Sequence, residues 1–146
     1  MSREDSSRRL IRYGMVLFLL GLLTGILIPT LTSPRLALAA HMEGLLNGIF
    51  LILVGGVVWK ELQLSERLAA AGFWLLLIAA YASWGFCLLA AVFGASQTLG
   101  IAGAGYSAAP WQEQLVSAGL GVGAICVLVA CCLVLYGLRG REPLGS

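Results

Sequence analysis

Four long apolar runs separated by short polar breaks make up most of the chain, over positions 13–31, 36–59, 68–93 and 114–138. A bilayer's hydrocarbon core takes about 20 mainly apolar residues to cross as a helix. Each run is long enough, and none shows the strict alternation of a strand. The pattern predicts an all-α, polytopic membrane protein, a single domain over 1–146 built as a four-transmembrane-helix bundle. Little chain remains outside the spans, so any chemistry is expected among the helices or at their ends.

Composition agrees: 60% of residues are hydrophobic, 11% are charged and the mean hydropathy is +0.94, far from the balance of a water-soluble domain. The first run follows several arginines, as a signal peptide would. It is longer than a usual signal core, lacks a clear small-residue cleavage pattern and precedes three further spans, so it reads as a transmembrane helix. The terminal Pro143-Leu144-Gly145-Ser146 resembles a cloning scar and is given no function.

Charge sets the expected orientation. Arg3, Arg8, Arg9 and Arg12 precede the first run, Lys60 and Arg67 separate the second and third, and Arg139 and Arg141 follow the fourth, leaving Arg35 alone on the other face. Eight basic residues against one predict cytoplasmic termini and a cytoplasmic middle loop, in a bacterial inner membrane. The net charge of +2 thus reports orientation, and no basic patch interleaved with aromatics points to nucleic acid. Trp59, Trp111 and Tyr136 are placed as interfacial belt residues.

Small residues supply the packing signals. Gly21 and Gly25, Gly44 and Gly48, and Gly119 and Gly123 are GxxxG pairs, which let helix backbones approach closely within one chain or between chains. Cys87, Cys126, Cys131 and Cys132 all fall within the runs without a CxxC spacing, and read as small packing residues.

The chain's only histidine, His41, stands at the mouth of the second run. At about 100° per residue, Gly44, Leu45, Gly48, Ile52 and Gly55 fall on its side of the helix, so the imidazole heads a groove floored by glycines. A planar macrocycle or another helix backbone fits such a groove. Glu43 and Asn47, four residues apart, share a different face. Polar groups at this depth are costly unless partnered. A bland reading gives His41 a solvated helix entrance, Asn47 an interhelical hydrogen bond and Tyr81, in the third run, a packed ring with a satisfied hydroxyl. The functional reading gives His41 a metal or cofactor. One histidine per chain cannot build a bis-histidine haem within a subunit. A single axial histidine leaves an open iron position, a Lewis acid suited to an isomerisation. No glycine-rich phosphate loop, two-histidine metal motif or nucleophile elbow offers another chemistry.

At these residues the sequence resembles a known family. Phe18-Leu-Leu-Gly-Leu-Leu-Thr-Gly25, Pro34-Arg35 and His41-Met-Glu-Gly-Leu-Leu-Asn-Gly48 are similar to the membrane-bound hydroxylaminobenzene mutases, themselves similar to styrene oxide isomerases. Tyr81-Ala-Ser-Trp84, Leu88-Leu-Ala-Ala-Val-Phe-Gly-Ala95 and Pro110-Trp-Gln-Glu113 extend the likeness through the later spans. The resemblance implies trimers of four-helix subunits with haem b between subunits, His41 as iron ligand, and Asn47 and Tyr81 as catalytic groups; Gly44 and Gly48, in the groove that His41 heads, are then expected to lie against the cofactor. It further implies that ferric haem rearranges an aryl hydroxylamine to an ortho-aminophenol. The isomerases' aspartate on the third helix has no counterpart, since Asp5 is the only Asp, which favours the mutase branch. Two alternatives stay open: epoxide-to-aldehyde rearrangement on the same scaffold, and a non-enzymatic haem-binding or packing protein. His41 and Asn47 point about 120° apart on one helix, so a site using both is expected to draw them from different subunits.

Overall fold

The computed structural model describes residues 3–139, all four spans being helical and no strand being present among them. Helix α1 covers Arg3–Leu27, α2 Pro34–Leu53, α3 Glu66–Phe93 and α4 Pro110–Gly137. A 3-10 turn, Ile28–Thr30, follows α1, and a π-helical segment, Val54–Val58, continues α2. Counting these extensions, all four helical segments are long and apolar enough to cross a membrane. Arg141 and the tail Pro143 to Ser146 lie outside the described residues.

Local chemistry explains the ends. Pro34 and Pro110 occupy first-turn positions, where a missing N–H costs nothing. Ser65 caps α3 by accepting the Leu68 N–H at 3.5 Å, and Gly94, at φ 73°, ends it in the left-handed conformation that glycine tolerates best. Helix α1 starts ten residues ahead of the first apolar run. Its polar turns are held by tertiary contacts: Ser7 Oγ donates to the Gly55 carbonyl at 2.6 Å, Leu10 is fully buried, and the Arg3 guanidinium donates to the Leu62 and Leu64 carbonyls at 2.5 and 3.0 Å. The π segment contributes here, because widening a helix disturbs its ladder and Gly55 O receives the serine hydroxyl.

The helices pack in chain order, α1 on α2, α2 on α3 and α3 on α4; α1 touches α3 lightly, and α4 meets neither α1 nor α2. Glycines set the closest approaches. A Cβ on Gly48 would lie 2.7 Å from Phe18 N and 2.9 Å from Gly14 O, and one on Gly44 would lie 2.6 Å from Gly21 Cα. Gly119 meets the Phe86 ring and Gly123 the Ser83 hydroxyl, joining α3 to α4. All three GxxxG pairs therefore serve contacts within the chain.

Trp111 and Tyr136 are exposed, as a belt position requires, and Trp111 stacks edge-on against Phe93. Trp59 departs from that expectation. It is buried, with its ring 6.4 Å from that of Phe73, because the π segment turns it under the helix ends into the core. The four cysteines are free.

One helix, α4, separates the 96–109 loop from Arg139. Reporter fusions in that loop and after Arg139 should give opposite signals, with the latter on the cytoplasmic side. Equal signals would remove α4 as a span.

Candidate functional site

His41 lies in the third turn of α2, half-buried against α1. Its Nδ1 is 2.8 Å from the Gly21 carbonyl. A carbonyl only accepts, so Nδ1 carries a proton, and the nitrogen at which the ring can offer a lone pair is Nε2. The ring fits because Gly25 has no side chain: a Cβ there would come 2.8 Å from Nδ1. Helix α1 thus supplies both the acceptor and the space.

This arrangement suits a metal ligand. Ligating histidines almost always give their other N–H to a carbonyl or carboxylate, which fixes ring orientation and raises ligand basicity. Among the described residues no three His, Cys, Asp or Glu side chains cluster as metal ligands. A metal at His41 would need its remaining ligands from elsewhere, as a haem iron takes them from its own macrocycle.

Within the chain, the groove that Gly44 and Gly48 floor is occupied by α1: Gly44 faces Gly21, and Gly48 faces Gly14 and Phe18. Of the two occupants that suit such a groove, the structure holds the helix backbone.

Asn47 Nδ2 donates to Glu43 Oε2 at 2.7 Å, so the two form the pair their spacing predicts. Helical side chains lean toward the N-terminus, which lifts the Asn47 amide to the level of Glu43 and near that of His41. The pair occupies a different flank of α2 from the imidazole. One chain therefore does not bring His41 and Asn47 together.

Tyr81 is also placed apart from His41. Its hydroxyl donates to the Tyr13 carbonyl at 2.9 Å. Tyr13 is eight residues before Gly21 on α1, about 12 Å along the axis at 1.5 Å per residue. The reason is directional: α3 runs opposite to α2, so its side chains lean the other way. Trp84, three residues on, reaches the histidine's level instead. Its Nε1 donates to Thr24 Oγ1 at 3.1 Å, Thr24 Oγ1 donates to Leu20 O at 2.8 Å, and a Cβ on Gly44 would come 2.9 Å from its Cδ1. Sequence reading missed Gly21 O, Thr24 and Trp84. The available signals were the Gly21/Gly25 spacing and a tryptophan one turn beyond Tyr81.

At the opposite end from the N-terminus, the loops are tied down. Glu113 accepts from the backbone N–H groups of Ser96 and Gln97 at 3.0 Å each and Ala108 at 3.2 Å, while Thr32 Oγ1 donates to Val92 O at 2.7 Å and Arg35 donates to Ala104 O. Glu113→Gln should loosen this end, raising proteolysis within 96–109 without detaching His41 from Gly21. Unchanged cleavage would show the carboxylate to be dispensable.

Comparison with known proteins gives a consistent set of matches. A family model described as styrene oxide isomerase matches residues 6–139. Hydroxylaminobenzene mutase HabB of Ectopseudomonas oleovorans is 41% identical over 91% of this chain and 81% of its own length. Hydroxylaminobenzene mutase HabA of the same organism is 42% identical over 71% of this chain and 77% of that protein. No solved structure matches the chain.

Proposed function

From the chain's membership of the styrene oxide isomerase family, we infer that it is a membrane-embedded isomerase that rearranges an aryl hydroxylamine to an ortho-aminophenol. The observation that carries the reading is His41, held by the Gly21 carbonyl with its Nε2 lone pair available. The curated relatives' names supply the substrate class. Substrate and product are isomers: the N–O bond breaks, a C–O bond forms at the ortho carbon, the ring proton there is lost and nitrogen takes one up. No oxidant or nicotinamide is needed.

His41 Nε2 is the residue that would hold ferric haem b, which when bound would supply a Lewis acid toward the hydroxylamine oxygen. The chain's own groups do the rest. Gly21 O keeps the imidazole in one tautomer. The Asn47 amide, steadied by Glu43, offers a hydrogen-bonding group to orient the substrate. Exclusion of bulk water from the cationic ring would keep it from the para carbon.

The site is shared between subunits in this reading. Rotation about the membrane normal moves a residue sideways and leaves its depth unchanged. His41 and Glu43 differ by two residues, about 3 Å of rise, so one subunit's imidazole can meet the Glu43–Asn47 pair of another in a trimer. Tyr81 stays about 12 Å away in depth. Its hydroxyl is accordingly assigned to tying α1 to α3, in place of the proton-donor role expected from sequence. Tyr81→Phe should keep turnover within about tenfold of wild type, the scale of one hydrogen bond. A loss near a thousandfold would return it to the catalytic machinery.

Product analysis tests the function. Phenylhydroxylamine should give 2-aminophenol as the main product, with styrene oxide turned over more slowly. The reverse preference would select the epoxide reaction.

A further inference from the structure

Two cavities on α1 adjoin each other and together mark out one path along the helix. Near the N-terminal end, a cavity of about 390 Å³ is lined by Arg9, Arg12, Tyr13 and Val16. Deeper in the span, a cleft of about 500 Å³ between α1 and α3 is lined by Tyr13, Val16, Trp74, Leu77, Ile78 and Tyr81. Tyr13 and Val16 belong to both. The path therefore begins beside two guanidinium groups at the head-group level and continues between apolar walls toward the bilayer centre. It exists because α1 and α3 both pack on α2 and touch each other lightly, and the Tyr81 hydroxyl on the Tyr13 carbonyl bridges the two helices there.

We propose that this path is a binding site for a phospholipid with an anionic head group, drawn from the leaflet at which the N-terminus lies. The phosphate sits at Arg12 beside Arg9, and one acyl chain lies against Val16, Trp74, Leu77 and Ile78. Charge selects the head group: the guanidinium groups of Arg12 and Arg9 line the mouth. Shape and polarity select the chain, since the deeper walls offer only the two tyrosine hydroxyls and are otherwise hydrocarbon and indole. Basic residues at an anionic membrane surface attract such lipids individually, and here an open apolar groove adjoins them. The site is independent of His41 and of the reaction assigned to it.

Native mass spectrometry of the full-length, detergent-purified protein tests this, titrated separately with phosphatidylglycerol, phosphatidylcholine of the same chains, and inorganic phosphate. Phosphatidylglycerol should bind about fivefold more tightly than phosphatidylcholine, the worth of one basic contact at such a surface. Arg12→Gln, at an exposed position, should erase that preference and leave phosphatidylcholine unchanged. Ile78→Trp should fill the cleft and reduce retention of both lipids at least threefold. Inorganic phosphate should not displace phosphatidylglycerol. Any of four results would overturn the proposal: a preference surviving Arg12→Gln, lipid retention unaffected by Ile78→Trp, displacement by inorganic phosphate alone, or displacement by phenylhydroxylamine, which would give the cleft to substrate. If Ile78→Trp instead splits the oligomer while phosphatidylglycerol stays bound, the cleft is a subunit contact and the proposal fails.

Discussion

His41→Ala should abolish haem retention and lower phenylhydroxylamine turnover by about 100-fold or more while the protein stays folded and membrane-inserted. The magnitude follows from the several kcal/mol that a metal Lewis acid contributes to a transition state, at about 1.4 kcal/mol per factor of ten. No other histidine can substitute, because the chain has one. The fold should tolerate the change, since the α1–α2 contact rests on glycine backbones and the imidazole contributes one hydrogen bond at its edge. Pyridine haemochrome content and helical circular dichroism, measured on one preparation, check both halves. Full haem retention would move the iron ligand elsewhere, with the half-buried Cys126 and Cys131 the next thiol candidates.

Gly44→Ala should produce a large loss of stability. The new Cβ would lie 2.6 Å from Gly21 Cα and 2.9 Å from Trp84 Cδ1, and a facing backbone cannot turn aside as a side-chain tip can. Overpacking of this kind costs about 1–3 kcal/mol. Haem affinity should fall with it, because moving Gly21 moves the carbonyl that orients His41. Gly121→Ala is the matched control: that glycine is exposed on α4 with nothing within 4 Å of a Cβ, and alanine there favours helix by about 1 kcal/mol. Thermal midpoints in one detergent compare the two. Equal midpoints would show that α1 and α2 do not approach as closely as the structure places them.

These contrasts show what the sequence carries and what it withholds. The spans were legible because hydropathy and length act residue by residue, and Pro34, Pro110 and Gly94 mark three helix ends by local chemistry. The ten-residue extension of α1 was not, because Ser6, Ser7 and Arg3 look solvated until Gly55, Leu62 and Leu64 are brought to them. Trp59 was misplaced for a related reason: its type favours an interface, and only the π segment shows that it turns inward. In the site, His41 stood out as a lone imidazole in an apolar chain, and the Glu43–Asn47 pair followed from helical spacing. Its partner, the Gly21 carbonyl, is backbone, which side-chain patterns cannot reveal. Tyr81 was expected in the site from the family resemblance alone; within the chain the opposite run of α3 takes its hydroxyl to the Tyr13 carbonyl and brings Trp84 close to the level of His41.

Sharing of the site between subunits follows from the same geometry. Co-expressed His41→Ala and Asn47→Ala chains should recover part of the activity that each lacks alone, since some mixed interfaces regain both residues. No recovery, in oligomers shown by tagging to contain both chains, would confine the site to one subunit.

The central claim, that this membrane isomerase works with a haem held by His41, is tested most directly by the visible absorption spectrum of the active wild-type protein in mild detergent. A Soret band near stoichiometric intensity, shifting when phenylhydroxylamine is added, is the predicted result. A colourless preparation that converts phenylhydroxylamine to 2-aminophenol at full rate would contradict it.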